Sequence, residues 1–286
     1  KLRRGQEVVV RFDAPGGTEA ARPPESSGLT DASELQVVFE DEHVLALNKP
    51  PGIVVHPSKG HLVGSLIHLI HERHRALQGN PQDVPTLCHR LDRETTGLIL
   101  SAKDQLSRTR LGKQFEVRTV KKAYLALVEG VMRDDTGVVD APIGSSLFGT
   151  VRLKMGVRED GDGLRALTRW KVRKRLESRT LVELYPETGR QHQLRVHMAH
   201  VGHPIVGDKL YLGGDEIFAR SVEGLLTREE LDRLGLDHHA LHSWRLTFEH
   251  PFTGFEMTLE APLWPTIAKL AGESQTCTTP NDVCSG

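Results

Sequence analysis

The chain has little cysteine, no long apolar run and almost no net charge, and each shortage rules something out. Cys88, Cys277 and Cys284 are three thiols in 286 residues. They are too few and too scattered for a disulfide framework, so a reducing, cytoplasmic setting is expected. No apolar stretch approaches the ~20 residues that span a bilayer, and no secretory signal pattern is visible. A net charge of −1 is not that of a uniformly basic nucleic-acid coat. "GGDEIF" and "GDG" lack the Lys-Ser/Thr of a phosphate-binding loop, and no serine sits in a G-x-S-x-G elbow. Neither a nucleotide cofactor nor a serine nucleophile is therefore expected, and no repeat of fixed period is present.

What is there reads as an ordinary globular protein, 38% apolar and 26% charged. Residues 1–12, "KLRRGQEVVVRF", form a basic turn and one short strand, too little for a domain. Residues 13–33 are rich in Pro, Gly, Ser and Ala, the composition of a linker. Dense patterning starts at residue 34 and ends near 272, before a polar tail at 273–286. "LQVVFEDEHVLALNKP" predicts a hairpin turning at Glu40–Glu42. Leu62, Leu66, Ile70 and Leu77 recur at helical spacing. "GLILSA" is a buried strand, Asp104 caps a helix through Phe115, and "KKAYLALVEG" alternates as a strand. Further strands are expected at "VVDAPI", "LRALTRWKVRKRL" and "TLVELYP". "TGRQHQLRVHMAHVG" predicts a helix with a capping box at Thr188 and Gln191 and a buried stripe of Leu194, Met198 and Val201. A second capping box is expected at Thr227 and Glu230, and a last hairpin around Pro251–Gly254. Strands without regular βαβ alternation predict an α+β fold on a mainly antiparallel sheet.

Histidines cluster at 68, 71, 74 and at 192, 197, 200, 203. "HERH" is one residue short of a zinc-binding H-E-x-x-H, and no carboxylate or cysteine completes a ligand set, so no metal is expected. Asp92 lies between Arg90 and Arg93 in "HRLDRETTGLIL", which favours a charged carboxylate over a protonated acid. Glu94 is read as structural, pairing with Arg93. A pair of working carboxylates at Asp92 and Glu94 would instead make a glycosidase. Basic residues outnumber acidic ones ten to four from Arg152 to Arg179, and "RWKVRKR" interleaves aromatic with basic side chains as RNA contact requires.

Five stretches then point the same way: "NKPPGIVVHPS", "HRLDRETTGLIL", "KKAYLALVEG", "PETGRQHQLRVHMAHVGHPIVGDKLY" and "LHSWRLTFEHP". In this order they resemble the RluA/RluD family of RNA pseudouridine synthases, from about Leu35 to Leu270. The resemblance implies isomerisation of uridine in structured RNA, first of all ribosomal RNA and otherwise transfer RNA, without cofactor or metal. It implies a central mixed, mainly antiparallel sheet flanked by helices, with the active-site cleft across it. Asp92 takes the place of the catalytic aspartate, Tyr124 of the active-site tyrosine and Arg195 of the arginine that pairs with the aspartate. Arg90 would fill the gap left by the extruded base, with His89, Arg93, Arg190 and His192 as further RNA contacts. "KLRRGQEVVVRF" looks like the last strand of an N-terminal RNA-binding domain. Residues 213–237 interrupt the family motifs and are read as decoration, with a specificity element as the alternative. A monomer is expected, and an inactive RNA-binding or ribosome-assembly factor of the same fold is the rival.

Overall fold

The structure is a computed structural model that describes residues 31–57, 64–77, 79–80 and 83–273. The strand and most of the linker expected in residues 1–33, together with Leu62, Cys277, Cys284 and the tail from 274 onward, lie outside the described residues.

The first half of the chain runs β1 (Val37–Glu40), β2 (Val44–Lys49), α1 (Leu66–Ala76), β3 (Thr86–Leu87), β4 (Thr96–Ala102), α2 (Gln105–Glu116) and β5 (Lys121–Glu129). Next come β6 (Thr136–Asp140), β7 (Ile143–Ser145), β8 (Met155–Val157), β9 (Leu167–Arg175) and β10 (Arg179–Pro186). The last elements are α3 (Gln193–His200), α4 (Asp215–Val222), α5 (Arg228–Leu234), β11 (Leu241–Glu249), β12 (Glu256–Glu260) and α6 (Pro265–Ala271). Ten strands make one sheet in the order β1-β2-β4-β11-β5-β10-β9-β6, with β12 added to β11 and β3 to β4, while β7 and β8 form a separate hairpin. Every pairing is antiparallel except β4 with β11, where Thr96 faces His242 and Gly97 faces Ser243. The mixed, mainly antiparallel α+β architecture expected from the sequence is thus the one observed.

Burial explains the patterns. β2 and β4 are buried along their whole lengths. Leu45, Leu47 and Ile99 pack under Leu66 and Ile70 of α1, and Val44, Ala46, Leu98 and Leu100 pack under Leu111 of α2. Two covered faces leave no position for a polar alternate, so "GLILSA" is continuously apolar. β9 lies near an edge with one face in water, and Arg169, Lys171, Arg173 and Arg175 alternate outward. Gly97 is required at the parallel junction. Its φ is +101°, and a Cβ there would lie 2.2 Å from the Ser243 carbonyl oxygen. The junction places the loop before β4 beside Tyr124, whose β5 position pairs with Ser243.

Three local expectations are corrected. Leu77 lies past the end of α1 and is 62% exposed, so the apolar spacing outruns the helix. Val201 follows α3 and is exposed rather than part of its buried stripe. Thr188 does not open a capping box with Gln191: its hydroxyl accepts from Leu167 N at 3.1 Å and donates to Gln193 Oε1 at 2.7 Å. Arg190 N donates to the same Gln193 oxygen at 3.0 Å, so residues 188–192 form a turn and the helix begins at Gln193. The box at Thr227 and Glu230, by contrast, is fully formed.

Candidate active site

The loop between β3 and β4 carries Asp92, and most of its other residues are tied back into the fold. Lys49, fully buried, donates to the Arg93 carbonyl at 2.9 Å and the Pro50 carbonyl at 2.7 Å. Gly52 N donates to that Arg93 oxygen at 2.9 Å, and Arg93 Nε returns a bond to the Gly52 oxygen at 3.0 Å. Thr95 Oγ1 and His239 Nε2 are 2.7 Å apart. His89 accepts from Leu100 N at 3.0 Å and stacks on Phe115 with ring centroids 4.7 Å apart. Burial pushes the His89 imidazole down to about 3, so it is neutral. Glu94 binds Lys209 and accepts from His239 N at 3.3 Å, so its partner is Lys209 and not Arg93. Adjacent residues of a tight loop point to different sides, and Arg93 is turned toward Gly52. That leaves Arg90 and Asp92. Arg90 is exposed, and among the described residues nothing pairs with its side chain.

Asp92 meets Arg195, whose Nη1 lies 3.0 Å from Oδ2. The same guanidinium grips Asp208 through Nε at 2.6 Å and Nη2 at 2.9 Å. Asp208 is completely buried and also accepts from the amides of Leu210 and Tyr211, each at 3.0 Å. A bidentate pair of this kind fixes the guanidinium plane, so Arg195 is already aimed when it reaches Asp92. Burial, the largest single influence, pushes the Asp92 carboxyl up, but Arg195 together with the nearby His192 and His239 outweighs it and the group is held below its ordinary value. Burial works against the Arg195 charge as well, and Asp208 and Asp92 together more than restore it. The carboxylate is ionised at neutral pH, yet a third of its side-chain surface stays open.

Above Asp92 is a cleft of 880 Å³ lined by Tyr124, Thr95, Leu91 and Leu241, with Arg90, Arg118, Lys121, Lys122, Arg169 and Arg190 among its basic residues. Burial pushes the Tyr124 phenol up to about 12, and the Asp92 charge adds to this, so the hydroxyl keeps its proton. Its ring packs partly on the core and partly faces the cleft. Arg190 Nε donates to the Arg165 carbonyl at 3.0 Å. His192 stands in the left-handed region at φ +56° with Nδ1 2.9 Å from the Tyr211 hydroxyl, and burial pushes its ring down to about 4. Asp92, Tyr124, Arg195, Arg90, His89, Arg190 and His192 all line this one cleft, and Arg93 does not.

Asp208, Tyr211, Lys49, Lys209 and His239 were not singled out from the sequence. The Asp that follows Gly207 in "VGDKLY" is the available signal. Gly207 has φ +77°, and a Cβ there would lie 2.1 Å from the His238 carbonyl oxygen, so the turn presenting Asp208 depends on it. The clustered histidines are separately engaged: His71 with the Pro85 carbonyl, His197 with Thr168 and Ala141, His203 with the Glu129 carbonyl. Among the described residues no group of three or more metal-ligating side chains is placed to hold an ion.

Residues 43–200 match the sequence profile described as RNA pseudouridylate synthase. The chain is 38% identical over 256 residues to the ribosomal large subunit pseudouridine synthase D of Pseudomonas aeruginosa, covering 89% of this chain and 76% of that one. It is 36% identical over 271 residues to the uncharacterized RNA pseudouridine synthase YlyB of Bacillus subtilis, covering 94% and 80%. The solved structure of human RNA pseudouridylate synthase domain containing 4 superposes with a TM-score of 0.63 at 28% identity, over 82% of this chain and 92% of that one.

Proposed function

The chain belongs to the RNA pseudouridylate synthase family, and on that footing we propose that it isomerises uridine in large-subunit ribosomal RNA with Asp92 as its catalytic carboxylate. The reaction breaks the N1–C1′ bond, turns the uracil and joins C5 to C1′. The C5 hydrogen leaves to water and N1 gains a proton. Such chemistry needs an ionised carboxylate beside the nucleotide, and the observation that carries the assignment is Asp92 held charged by Arg195 on the floor of the cleft. Arg195 is a positioning residue, oriented by Asp208. Tyr124 offers its ring face to the uracil and a protonated phenol to the proton transfers.

The target base must leave its stack at a cost of a few kcal/mol. Arg90 is exposed at the cleft and fills the space left in the RNA. Arg118, Lys121 and Arg190 meet phosphates, which concentrates attraction for RNA on one face of a nearly neutral molecule. The ribosomal assignment is supported by relatives whose names specify the large ribosomal subunit. Among the described residues no helix is long and apolar enough to cross a membrane. We take the protein to act as a cytoplasmic monomer.

The test uses unmodified large-subunit rRNA transcript tritiated at uracil C5. Wild type is expected to release tritium to water with no free uracil, and Asp92→Ala to release none. Free uracil would mean glycosidase chemistry. Tritium release that survives Asp92→Ala would remove Asp92 from the mechanism, and release from a transfer RNA transcript alone would move the substrate.

A further inference from the structure

A second cavity, of 690 Å³, opens beside the first, and Asp92, His192 and Arg195 line both. They are the wall between the two. The second cavity is of different character, with Pro50, Pro51, Leu153, Phe218, Val222 and Trp264 giving it a mostly apolar lining. Phe218, Ser221, Val222 and Asp237 all come from residues 213–237, the segment read from the sequence as decoration. α4 turns its half-buried Phe218 into the space, anchored beneath by buried Ile217. Arg93 also lines this cavity and is missing from the first. Its Nε is taken by the Gly52 carbonyl, but among the described residues no bond or ion pair engages its two terminal nitrogens.

We propose that this second cavity receives a second, unpaired nucleotide of the same RNA, its base against Phe218, Val222 and Trp264 and its phosphate on Arg93. The proposal rests on the RNA-isomerase reading and names a further part of that substrate. Three observations converge on a nucleotide. The volume lies in the ~300–1,000 Å³ range of ligand pockets. Flat apolar walls suit any base face, and a planar guanidinium with free terminal donors suits a phosphate oxygen pair. Continuity through Asp92, His192 and Arg195 makes the occupant a direct neighbour of the uridine in the cleft. Residues 213–237 then select which uridine is modified, by accepting or refusing its neighbour.

Steady-state tritium release from the C5-tritiated rRNA transcript tests this with Phe218→Ala and Val222→Glu. Val222 is 59% exposed, so the second variant perturbs the cavity mouth without touching the core. Both are expected to raise KM about tenfold with kcat and melting temperature held. In parallel, a transcript carrying 4-thiouridine is cross-linked to wild type and the adducts are mapped by mass spectrometry. Adducts on peptides containing Phe218 or Trp264 are expected, and their loss in Val222→Glu. Unmoved KM in both variants, or adducts confined to the cleft around Phe115, Tyr124 and Tyr185, would overturn the second site. That failure leaves the loss of activity in Asp92→Ala intact, whereas failure of the isomerase reading appears as wild type that releases no tritium from the transcript, or that releases free uracil.

Discussion

The loop that carries Asp92 and the loop between β7 and β8 are built on opposite plans. In the first, Lys49, Gly52, Arg195, His239 and Lys209 reach in from distant parts of the chain to hold residues 92–95. In the second, residues 146–154 expose Leu147 at 62%, Phe148 at 82% and Leu153 at 64%. Their main outside tether is the Asp215 carboxylate, which accepts from Thr150 N at 2.6 Å and Val151 N at 3.3 Å and pairs with Lys154. A carboxylate that must meet a reacting atom tolerates little displacement, and its loop is fixed by buried polar contacts at several residues. A loop that exposes Leu147, Phe148 and Leu153 with no reacting group to place needs no such registration. Local rigidity therefore follows the distance tolerance of the chemistry.

Substitutions can break that contrast, in order of expected size. Asp92→Asn keeps the shape and removes the charge. Single-turnover tritium release should fall by at least about 10³-fold, as for other essential catalytic groups, with the melting temperature nearly unchanged. Gly97→Ala drives a Cβ into the Ser243 carbonyl at a positive φ. It should cost about 3 kcal/mol in urea unfolding through clash and strain at the β4–β11 junction.

Acid should weaken the rigid side specifically. His89 and His242 have folded values pushed down by burial, to about 3 and about 4, against 6.5 unfolded. Between those limits the unfolded chain binds protons that the folded chain refuses. Stability is then complete above pH 6.5 and is lost as pH falls. At pH 5 each of the two costs about 2 kcal/mol, and differential scanning calorimetry at pH 7 and pH 5 should show a lower melting temperature in acid. Lys209→Met leaves Glu94 without its ion pair beside the catalytic loop. It should lower kcat about tenfold, roughly 1.4 kcal/mol of positioning, with KM for the rRNA transcript held. The smallest effect belongs to the open loop. Leu147→Ser combined with Phe148→Ser should move stability by no more than about 0.5 kcal/mol, because neither side chain leaves a buried contact behind.

Much of this arrangement was legible along the chain, and the remainder was not for identifiable reasons. β4, β5, β10 and the β11–β12 hairpin follow from apolar periodicity because burial on one or two faces writes it directly. Asp92, Tyr124 and Arg195 stand in three separate motifs, and the fold brings them to one cleft. The start of α3 was missed because Thr188 spends its hydroxyl on β9 and Gln193 instead of a helix amide. The Arg93 partner expected for Glu94 does not form because neighbours in sequence diverge in a tight loop, while Lys209 arrives from 115 residues away. Lys49 looks like an exposed strand end until the carbonyls of Pro50 and Arg93 close over its ammonium. Tertiary partners of this kind leave no periodic trace.

The central claim is that Asp92 works as an anion held charged by Arg195, and the pH dependence of single-turnover tritium release tests it most directly. Wild type should give a rate constant free of any acid limb from pH 8 down to about 5, since the carboxyl is held below its ordinary value. Arg195→Lys, which lacks the planar fork that reaches both carboxylates, should be slower and should lose rate at higher pH than wild type. A wild-type rate that rises as the solution is acidified through pH 6, or an acid limb near pH 6 that Arg195→Lys leaves in place, would contradict the account.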